Sequence, residues 1–336
     1  MHLTALVDSL HHVCCRYRLT AYQPFLEQAG HHFQTRPIPR LWWSRLGLLR
    51  GLRETDAVIL QRKLLPLWQL RRLRRTAPLL IYDFDDAVHL RDSYSVKGLH
   101  SPRRLRRFTA TIRAADIVVA GNDFLREQAL SVVPAANVQV IPTCLDANRY
   151  PLAQHTRAKA DALLVWIGSS STLRGLEAIK PLLEEVGQSW PDLRLKLLCD
   201  RSLYLRHLPV LNCPWTDAGE AAELASADIG ISWLPDDSWS RGKCGLKILQ
   251  YMAAGLPVIA NPVGIQVDLV RHGETGYLAE TQAEWVEAIG RLALDPGLRR
   301  RLGQAGRKRV ESDFSVAVGA AQWITLLGAL RRRTAA

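Results

Sequence analysis

Short apolar runs alternate with longer stretches of helical period along most of the chain. In the first half, Leu3–Val7, His32–Arg36, Ala57–Leu60, Leu79–Tyr82, Ile117–Ala120 and Val138–Ile141 read as strands. Several are rich in Val and Ile and stop at Gly, Asp, Asn or Pro, as buried strands do. The segments between them read as helices. Ala21–Gln28, for example, halts before Gly30, a residue suited to a C-cap. The polar stretch Tyr150–Asp161 has no period and reads as a linker. The alternation then resumes with strands at Leu163–Ile167, Leu195–Cys199, Ile229–Trp233 and Val258–Ala260. Helices at Gln282–Leu294, Leu298–Ser312 and Val316–Arg332 close the chain. This rhythm predicts parallel sheets covered by helices on both faces. The expected class is α/β, with two doubly wound, Rossmann-like domains facing a central cleft. The first spans residues 1–150, a linker 151–162 and the second 163–312; a final helix, 313–336, crosses back to the first. In such folds ligands bind outside the carboxyl ends of the strands.

Length agrees with two domains, since 336 residues exceed what one core usually supports. With 48% apolar and 23% charged residues, disordered, collagen-like and disulfide-scaffold classes are excluded. No apolar run reaches the roughly 18 residues of a membrane span. The opening MHLTALVDSLHHVCC lacks a basic region and a long apolar block, so it reads as a first strand rather than a secretory leader. The net charge of +12 is skewed: residues 1–150 carry 22 Lys/Arg against 12 Asp/Glu, and residues 151–336 carry 22 against 20. A basic first half suits an anionic partner, nucleic acid or membrane. The six cysteines form no CxxC pair and no zinc spacing, so a reduced, cytoplasmic protein is expected.

The most informative segment is Ser240–Gly264, SRGKCGLKILQYMAAGLPVIANPVG. It has a glycine-spaced basic loop, a helix ending at Gly255, a buried strand and a glycine turn. A glycine loop opening a helix gathers backbone N–H groups, and Arg241, Lys243 and Lys247 would add charge. It reads as a diphosphate cradle or as an ordinary loop–helix–strand unit with solvated cations. The run Gln250-Tyr251-Met252-Ala253-Ala254-Gly255-Leu256-Pro257-Val258-Ile259-Ala260, then Asn261–Gly264 and Glu274–Leu278, resembles the signature of the family 4 (group 1) glycosyltransferases. Leu163–Gly168, Ala227–Pro235 and Asp295–Arg309 extend the likeness over most of the second half and, loosely, the first. The resemblance implies the GT-B fold, a nucleotide-sugar co-substrate, retention at the transferred sugar, and no essential metal or other cofactor. Two positions depart from the family pattern. Its two acidic residues, eight positions apart, fall here on Gly242 and Gln250. The second acid typically receives the ribose hydroxyls. Gln250 keeps one acceptor and adds two donors, and from the motif alone a glutamate there should be tolerated. Lys247 matches a lysine found in part of the family.

Three further features complete the reading. Asp83-Phe84-Asp85-Asp86 follows a strand directly, so its carboxylates belong at the ligand edge, with Phe84 turned to the core. Asp83, Asp85 and Asp86 there bind acceptor hydroxyls, stabilise charge on the sugar, hold a metal, or else cap a helix and pair with arginines. Asn122 occupies a comparable turn on the acceptor side. Gly168-Ser169-Ser170-Ser171-Thr172, with Arg174 beyond, reads as a donor-contacting turn or a hydroxyl-rich N-cap. The stripes Arg71–Arg75 and Arg103–Arg107, with Trp42 and Trp43 among Arg40, Arg45 and Arg50, suit a membrane interface or a solvated helix face. No nucleic-acid reader motif is present. The expectation is therefore a glycosyltransferase, peripheral on the inner face of the membrane, acting on a cell-envelope or lipid-linked glycan. Asp85, Asp86 and Lys247 are expected to carry catalysis. Gly168, Ser169, Arg174, Arg241, Lys243, Lys247 and Gln250 are expected to hold the donor. The rivals are a catalytically silent GT-B partner of an active transferase, favoured by the missing acids, and a nucleotide-sugar epimerase.

Overall fold

The computed structural model describes the chain apart from residues 40, 42, 46, 48–50, 53, 158–160 and 336, and apart from the side chains of 333–335. Its contacts divide it into two units. Unit 1 comprises Met1–Cys144, Asp237–Cys244 and Val316–Ala336; unit 2 comprises Leu145–Asp236 and Gly245–Ser315. Among the described residues each unit is built on one parallel sheet of six strands.

In unit 1 the strands are β1 (His2–Val7), β2 (His32–Pro37), β3 (Ala57–Gln61), β4 (Leu79–Phe84), β5 (Ile117–Ala120) and β6 (Val138–Val140), in the order β2-β1-β3-β4-β5-β6. The order reverses beside β1. The inner strands are apolar at nearly every position because helices cover both faces. On one face Val58, Leu60, Tyr82 and Phe84 pack with Phe108. On the other, Leu3, Ala5, Ile59 and Ile81 pack with Trp323 and Leu327 of the helix Val316–Ala335. Asp83 falls on that second face, fully buried, because the two-residue alternation of β4 puts it there. It survives because Arg18, also fully buried, forks onto it. Arg18 Nη2 donates to Asp83 Oδ1 at 2.5 Å, and Nη1 donates to the Ile141 carbonyl at 2.7 Å. Phe84 points into the core, as expected.

In unit 2 the strands are β7 (Leu163–Ile167), β8 (Arg194–Leu198), β9 (Val210–Cys213), β10 (Ile229–Ser232), β11 (Val258–Ala260) and β12 (Gly276–Leu278), in the order β12-β11-β10-β7-β8-β9. The order reverses between β7 and β10. Those two strands pair only at Ile229–Leu164 and Gly230–Val165. Beyond that point Tyr251 fills the gap: its hydroxyl accepts from the Ile167 amide at 3.0 Å and donates to the Ile231 carbonyl at 3.2 Å. Gly230 makes this possible, since a Cβ there would sit 2.4 Å from the Tyr251 ring. The sequence pattern does not announce β9 or β12. β9 is an exposed edge strand with no alternating pattern, and β12 has only three residues. The stretch 151–162 reads as a polar linker in sequence, but its described part packs on unit 2. The Ala153 amide donates to the Ala254 carbonyl at 2.9 Å. His155 is buried, with Nε2 2.8 Å from the Gly255 carbonyl. Arg157 meets Asp228 at 2.9 Å.

The buried pair in unit 1 should show in stability. Asp83→Ala leaves the Arg18 guanidinium buried and unpaired, a loss of about 3–5 kcal/mol. Replacing both residues with apolar side chains of like volume, Arg18→Met with Asp83→Leu, should cost much less. Urea melts of the three proteins check this. A single variant as stable as the double would mean that the charge of Arg18 reaches water.

Candidate functional site

The carboxyl edge of the first sheet gathers the strongest charges of unit 1. Arg62 follows β3 with a left-handed backbone, φ 55°. From there its guanidinium reaches Asp85 at 3.1 Å and Asp86 at 2.6 Å, both just beyond β4, and it also donates to the Cys14 thiol. Lys243 meets Asp86 from the other side at 2.8 Å and lies 3.5 Å over the Trp239 ring. Burial would push the Asp85 carboxyl up, but Arg62, then Arg18, outweigh it and hold the group below the usual carboxylate range. Asp85 is therefore ionised at neutral pH. Burial, reinforced by Asp85, pushes the Cys14 thiol well up, so it stays protonated and unreactive.

Residues 237–244 are held on this edge. Asn122 caps the helix Asp123–Leu130 through its Oδ1, which accepts from the Leu125 amide at 2.8 Å. Its Nδ2 donates to the carbonyls of Lys243 at 2.8 Å and Arg241 at 3.3 Å. Gly242, where the resemblance places an acid, is pressed against Ala87. A Cβ at 242 would lie 2.7 Å from the Ala87 Cβ and 2.9 Å from its amide nitrogen. The departure from the motif at 242 is therefore steric: no side chain fits.

In unit 2 the site forms where the strand order reverses, at the carboxyl ends of β7 and β10. The helix Leu246–Ala253 opens at Gly245, whose φ of 68° a side chain would strain. Its Lys247 ammonium lies 4.0 Å over the ring of Trp166 in β7. Gly168 lies at the same ring, since a Cβ there would stand 2.4 Å from Trp166. The next turn starts the helix Ser170–Ala178. There the Ser169 amide donates to Thr172 Oγ1 at 3.2 Å, and the Ser170 amide to the Asp200 carboxylate at 2.6 Å. A carboxylate already sits at that helix end, so the positive charge near this turn is that of Lys247 rather than of these amides. One turn after Lys247, Gln250 is buried and its Nε2 donates to the Tyr150 hydroxyl at 3.3 Å.

The structure sorts the expected residues into two groups. Lys247, Gly168, Ser169 and Gln250 belong to unit 2, near the end of β7 and on the helix that follows β10, and Arg174 is exposed on the helix Ser170–Ala178. Arg241 and Lys243 belong to unit 1, so the basic loop is not one cradle within the donor unit as expected. Asp85 and Asp86 stand together, held by cations. Asp83 and Asn122 do not meet the expectation of an acceptor contact. Asp83 has no exposed surface, and Asn122 commits its amide to a cap and two carbonyls. Sequence reasoning missed Arg62, Trp166 and Tyr150. The position of Arg62 straight after a strand was the one local signal. Trp42, Arg40 and Arg50 lie outside the described residues. All six cysteines are free thiols. Among the described residues no helix is long and apolar enough to cross a membrane, and no three His, Cys, Asp or Glu gather as a metal site.

Comparison with known proteins bears on the fold and on the second half of the chain. Residues 232–309 match the family described as Glycosyl transferases group 1. A D-inositol 3-phosphate glycosyltransferase of Pseudarthrobacter chlorophenolicus is 27% identical over 199 residues, 52% of this chain and 46% of the relative. The chain thus spans about half the length of that relative. The capsular polysaccharide biosynthesis glycosyltransferase CapM of Staphylococcus aureus is 39% identical over 69 residues, 20% of this chain and 18% of CapM. Among solved structures, sucrose-phosphate synthase of Thermosynechococcus elongatus superposes with a TM-score of 0.79 at 17% identity, covering 99% of this chain and 100% of the other. Anabaena HepE, in complex with UDP and glucose, gives 0.71 at 16% identity, covering 98% and 100%. These likenesses make the fold GT-B, and the segment 232–309 is where the chain matches the group 1 glycosyltransferases.

Proposed function

We propose that the protein transfers a sugar from a nucleotide-sugar to a cell-envelope or lipid-linked glycan, with retention at the sugar. The observation that carries the donor half is Lys247 stacked on Trp166 beside Gly168, at the strand-order reversal of unit 2. The ring, which the missing Cβ at 168 admits, holds the ammonium in place. Fixed positive charge at that spot favours the departing diphosphate and supplies what sugar transfer needs, since charge develops there as the bond breaks. Gln250, one turn on, is read as the ribose contact. Asp85 and Asp86 are read as orienting the acceptor hydroxyl, with Arg62 and Lys243 as their cationic partners. The reaction as proposed needs no metal or other cofactor. One relative, named for capsular polysaccharide, supports the class of acceptor; another is named for a small phosphate, D-inositol 3-phosphate.

A second reading, a silent partner of an active transferase, is favoured by the absence of both motif acids at 242 and 250. Turnover of UDP-, GDP-, ADP- or dTDP-sugars to free nucleoside diphosphate by the purified protein separates the two. Binding without turnover, with or without acceptor glycans, would favour the silent partner.

The acceptor side is read as membrane-facing. The helices Leu67–Thr76 and Pro102–Ala114 pack together and expose Arg71, Arg75, Arg103 and Arg106 beside Trp68 and Leu105. Trp43 is also exposed. Arg104 and Arg107 are less suited to lipid, because they donate to the backbone carbonyls of Leu90 and Leu64. Each basic residue near an anionic surface adds about 1 kcal/mol.

Two outcomes test these halves. Lys247→Ala should weaken binding of the nucleoside diphosphate by about 1.5–3 kcal/mol and leave the free nucleoside nearly unaffected. Calorimetry with both ligands decides it, and equal losses would remove Lys247 from the phosphate. In flotation with anionic vesicles, the protein should float at low salt and be released as salt shortens the screening length to about 8 Å. Arg71, Arg75, Arg103 and Arg106 changed to Glu should abolish flotation even at low salt. Wild-type protein that stays below the vesicles would leave those arginines as solvated faces and point to a soluble acceptor.

A further inference from the structure

Unit 2 has a concavity away from its strand-order reversal. It measures about 550 Å³ and is walled by three stretches of chain: the turn into β12 with β12 itself, the end of the helix Gln282–Leu294, and the start of the helix Pro296–Asp313. That size suits a small molecule. Its place in the sheet follows from what the end of the helix Gln282–Leu294 touches. The Leu292 and Ala293 carbonyls accept from Arg299 at 2.7 and 2.9 Å. The same guanidinium lies 3.7 Å from Asp228, the residue just before β10. A Cβ at Gly290 would lie 2.2 Å from the ring of Trp190, in the turn that leads into β8. This helix end therefore stands at the amino ends of the strands. The donor reading occupies their carboxyl ends, the opposite edge of the same sheet.

The wall has two kinds of charge. Arg291 and Arg301 bring guanidiniums. Arg301 is exposed and makes no ion pair or hydrogen bond among the described residues. Arg291 is 56% exposed, rests 5.1 Å from the centre of the Tyr277 ring, and stays 3.8 Å from Glu287. The His272 ring packs edge-on to the same tyrosine at 5.3 Å. Its Nδ1 accepts from the Leu278 amide at 3.2 Å, so Nε2 bears the proton and is a donor. Against these stands Asp295, whose Oδ1 accepts from the Leu298 amide at 2.8 Å as a helix cap. Of the run Arg299–Arg301, the fold uses Arg299, which is fully buried on backbone carbonyls. Arg301 serves no such purpose.

A guanidinium presents a planar fork of donors that fits phosphate oxygens. A carboxylate in the same wall repels a bare dianion and accepts from hydroxyls. A ligand that satisfies both ends carries a phosphate and hydroxyl groups. We propose that this concavity is a second ligand site, for a phosphorylated sugar or polyol. Arg291, Arg301 and the His272 ring take the phosphate, and Asp295 takes a hydroxyl. The site is independent of the donor reading.

Calorimetry on the full chain tests it, with glucose 6-phosphate, glycerol 3-phosphate, inorganic phosphate and glucose as probes. Wild type should bind at least one of the two esters, bind inorganic phosphate several-fold more weakly, and leave glucose unbound. Arg301→Ala and Arg291→Gln should each weaken the ester about tenfold. Both side chains are exposed, so the melting temperatures without ligand should stay at the wild-type value. Asp295→Asn keeps the helix cap, since asparagine caps as well as aspartate, and should narrow the gap between the ester and inorganic phosphate. Lys247→Ala should leave the ester unaffected even where it loses the nucleoside diphosphate. The proposal is overturned if neither ester binds wild type at about 10 mM, or if both arginine variants bind it as wild type does. It is also overturned if Lys247→Ala abolishes the binding, which would put the ester in the donor site. An unchanged preference in Asp295→Asn overturns the hydroxyl assignment. A protein that binds the ester through Arg301 but takes no nucleoside diphosphate keeps this site and refutes the donor reading.

Discussion

One phenol holds the second sheet open where a ligand would bind. β7 and β10 part after two paired residues, and the Tyr251 hydroxyl takes up the amide and the carbonyl that the parting leaves behind. Both groups are buried, and leaving them unpaired would cost on the order of 1–3 kcal/mol each. The helix that carries Tyr251 is thereby pinned to the reversal point, and Lys247 and Gln250 come with it, four and one positions earlier. Gly230 and Gly168 serve the same arrangement, one admitting the Tyr251 ring and the other the Trp166 ring. Removing the phenol would release the helix and the cation together, so geometry and electrostatics at this site have a common support.

The first sheet meets a different demand at its carboxyl edge. Three carboxylates leave β4 within four residues, and unrelieved repulsion there would unfold the turn. Arg18 neutralises Asp83 inside the core, Arg62 spans Asp85 and Asp86, and Lys243 shares Asp86. The left-handed backbone of Arg62 is what brings its guanidinium back over the edge, a local strain that the two ion pairs offset. The cluster is thus at once a fold requirement and a set of ionised groups with their partners already in place.

The inner strands were legible in the sequence because a buried parallel strand is an apolar run with polar ends. Ile117–Ala120, Leu163–Ile167 and Val258–Ala260 agree to the residue. β9 and β12 were not legible, since an exposed edge and a three-residue strand leave no such trace. The described part of 151–162 misled for a related reason. Its polar residues are satisfied by partners far away in sequence: His155 by Gly255, and Arg157 by Asp228. At the site, the family likeness located the helix and Lys247. It did not reveal Tyr150, because nothing in the local pattern around 150 says which amide its hydroxyl will meet.

The departures from the family acids sit in two different surroundings. At 242 the backbone lies against Ala87, so a side chain is excluded. The residue just before Ala87 is Asp86, whose carboxylate is ion-paired to Lys243, the residue just after Gly242. At 250 the Gln250 amide donates to the Tyr150 hydroxyl, which donates to Glu220. Near 242 stands Asp86, the neighbour of Ala87, and Glu220 is two hydrogen bonds from position 250. A chain that had merely lost its acids would not be expected to keep a buried glutamate and a cation-bound aspartate near these positions, because burying either has a desolvation cost that only a partner offsets.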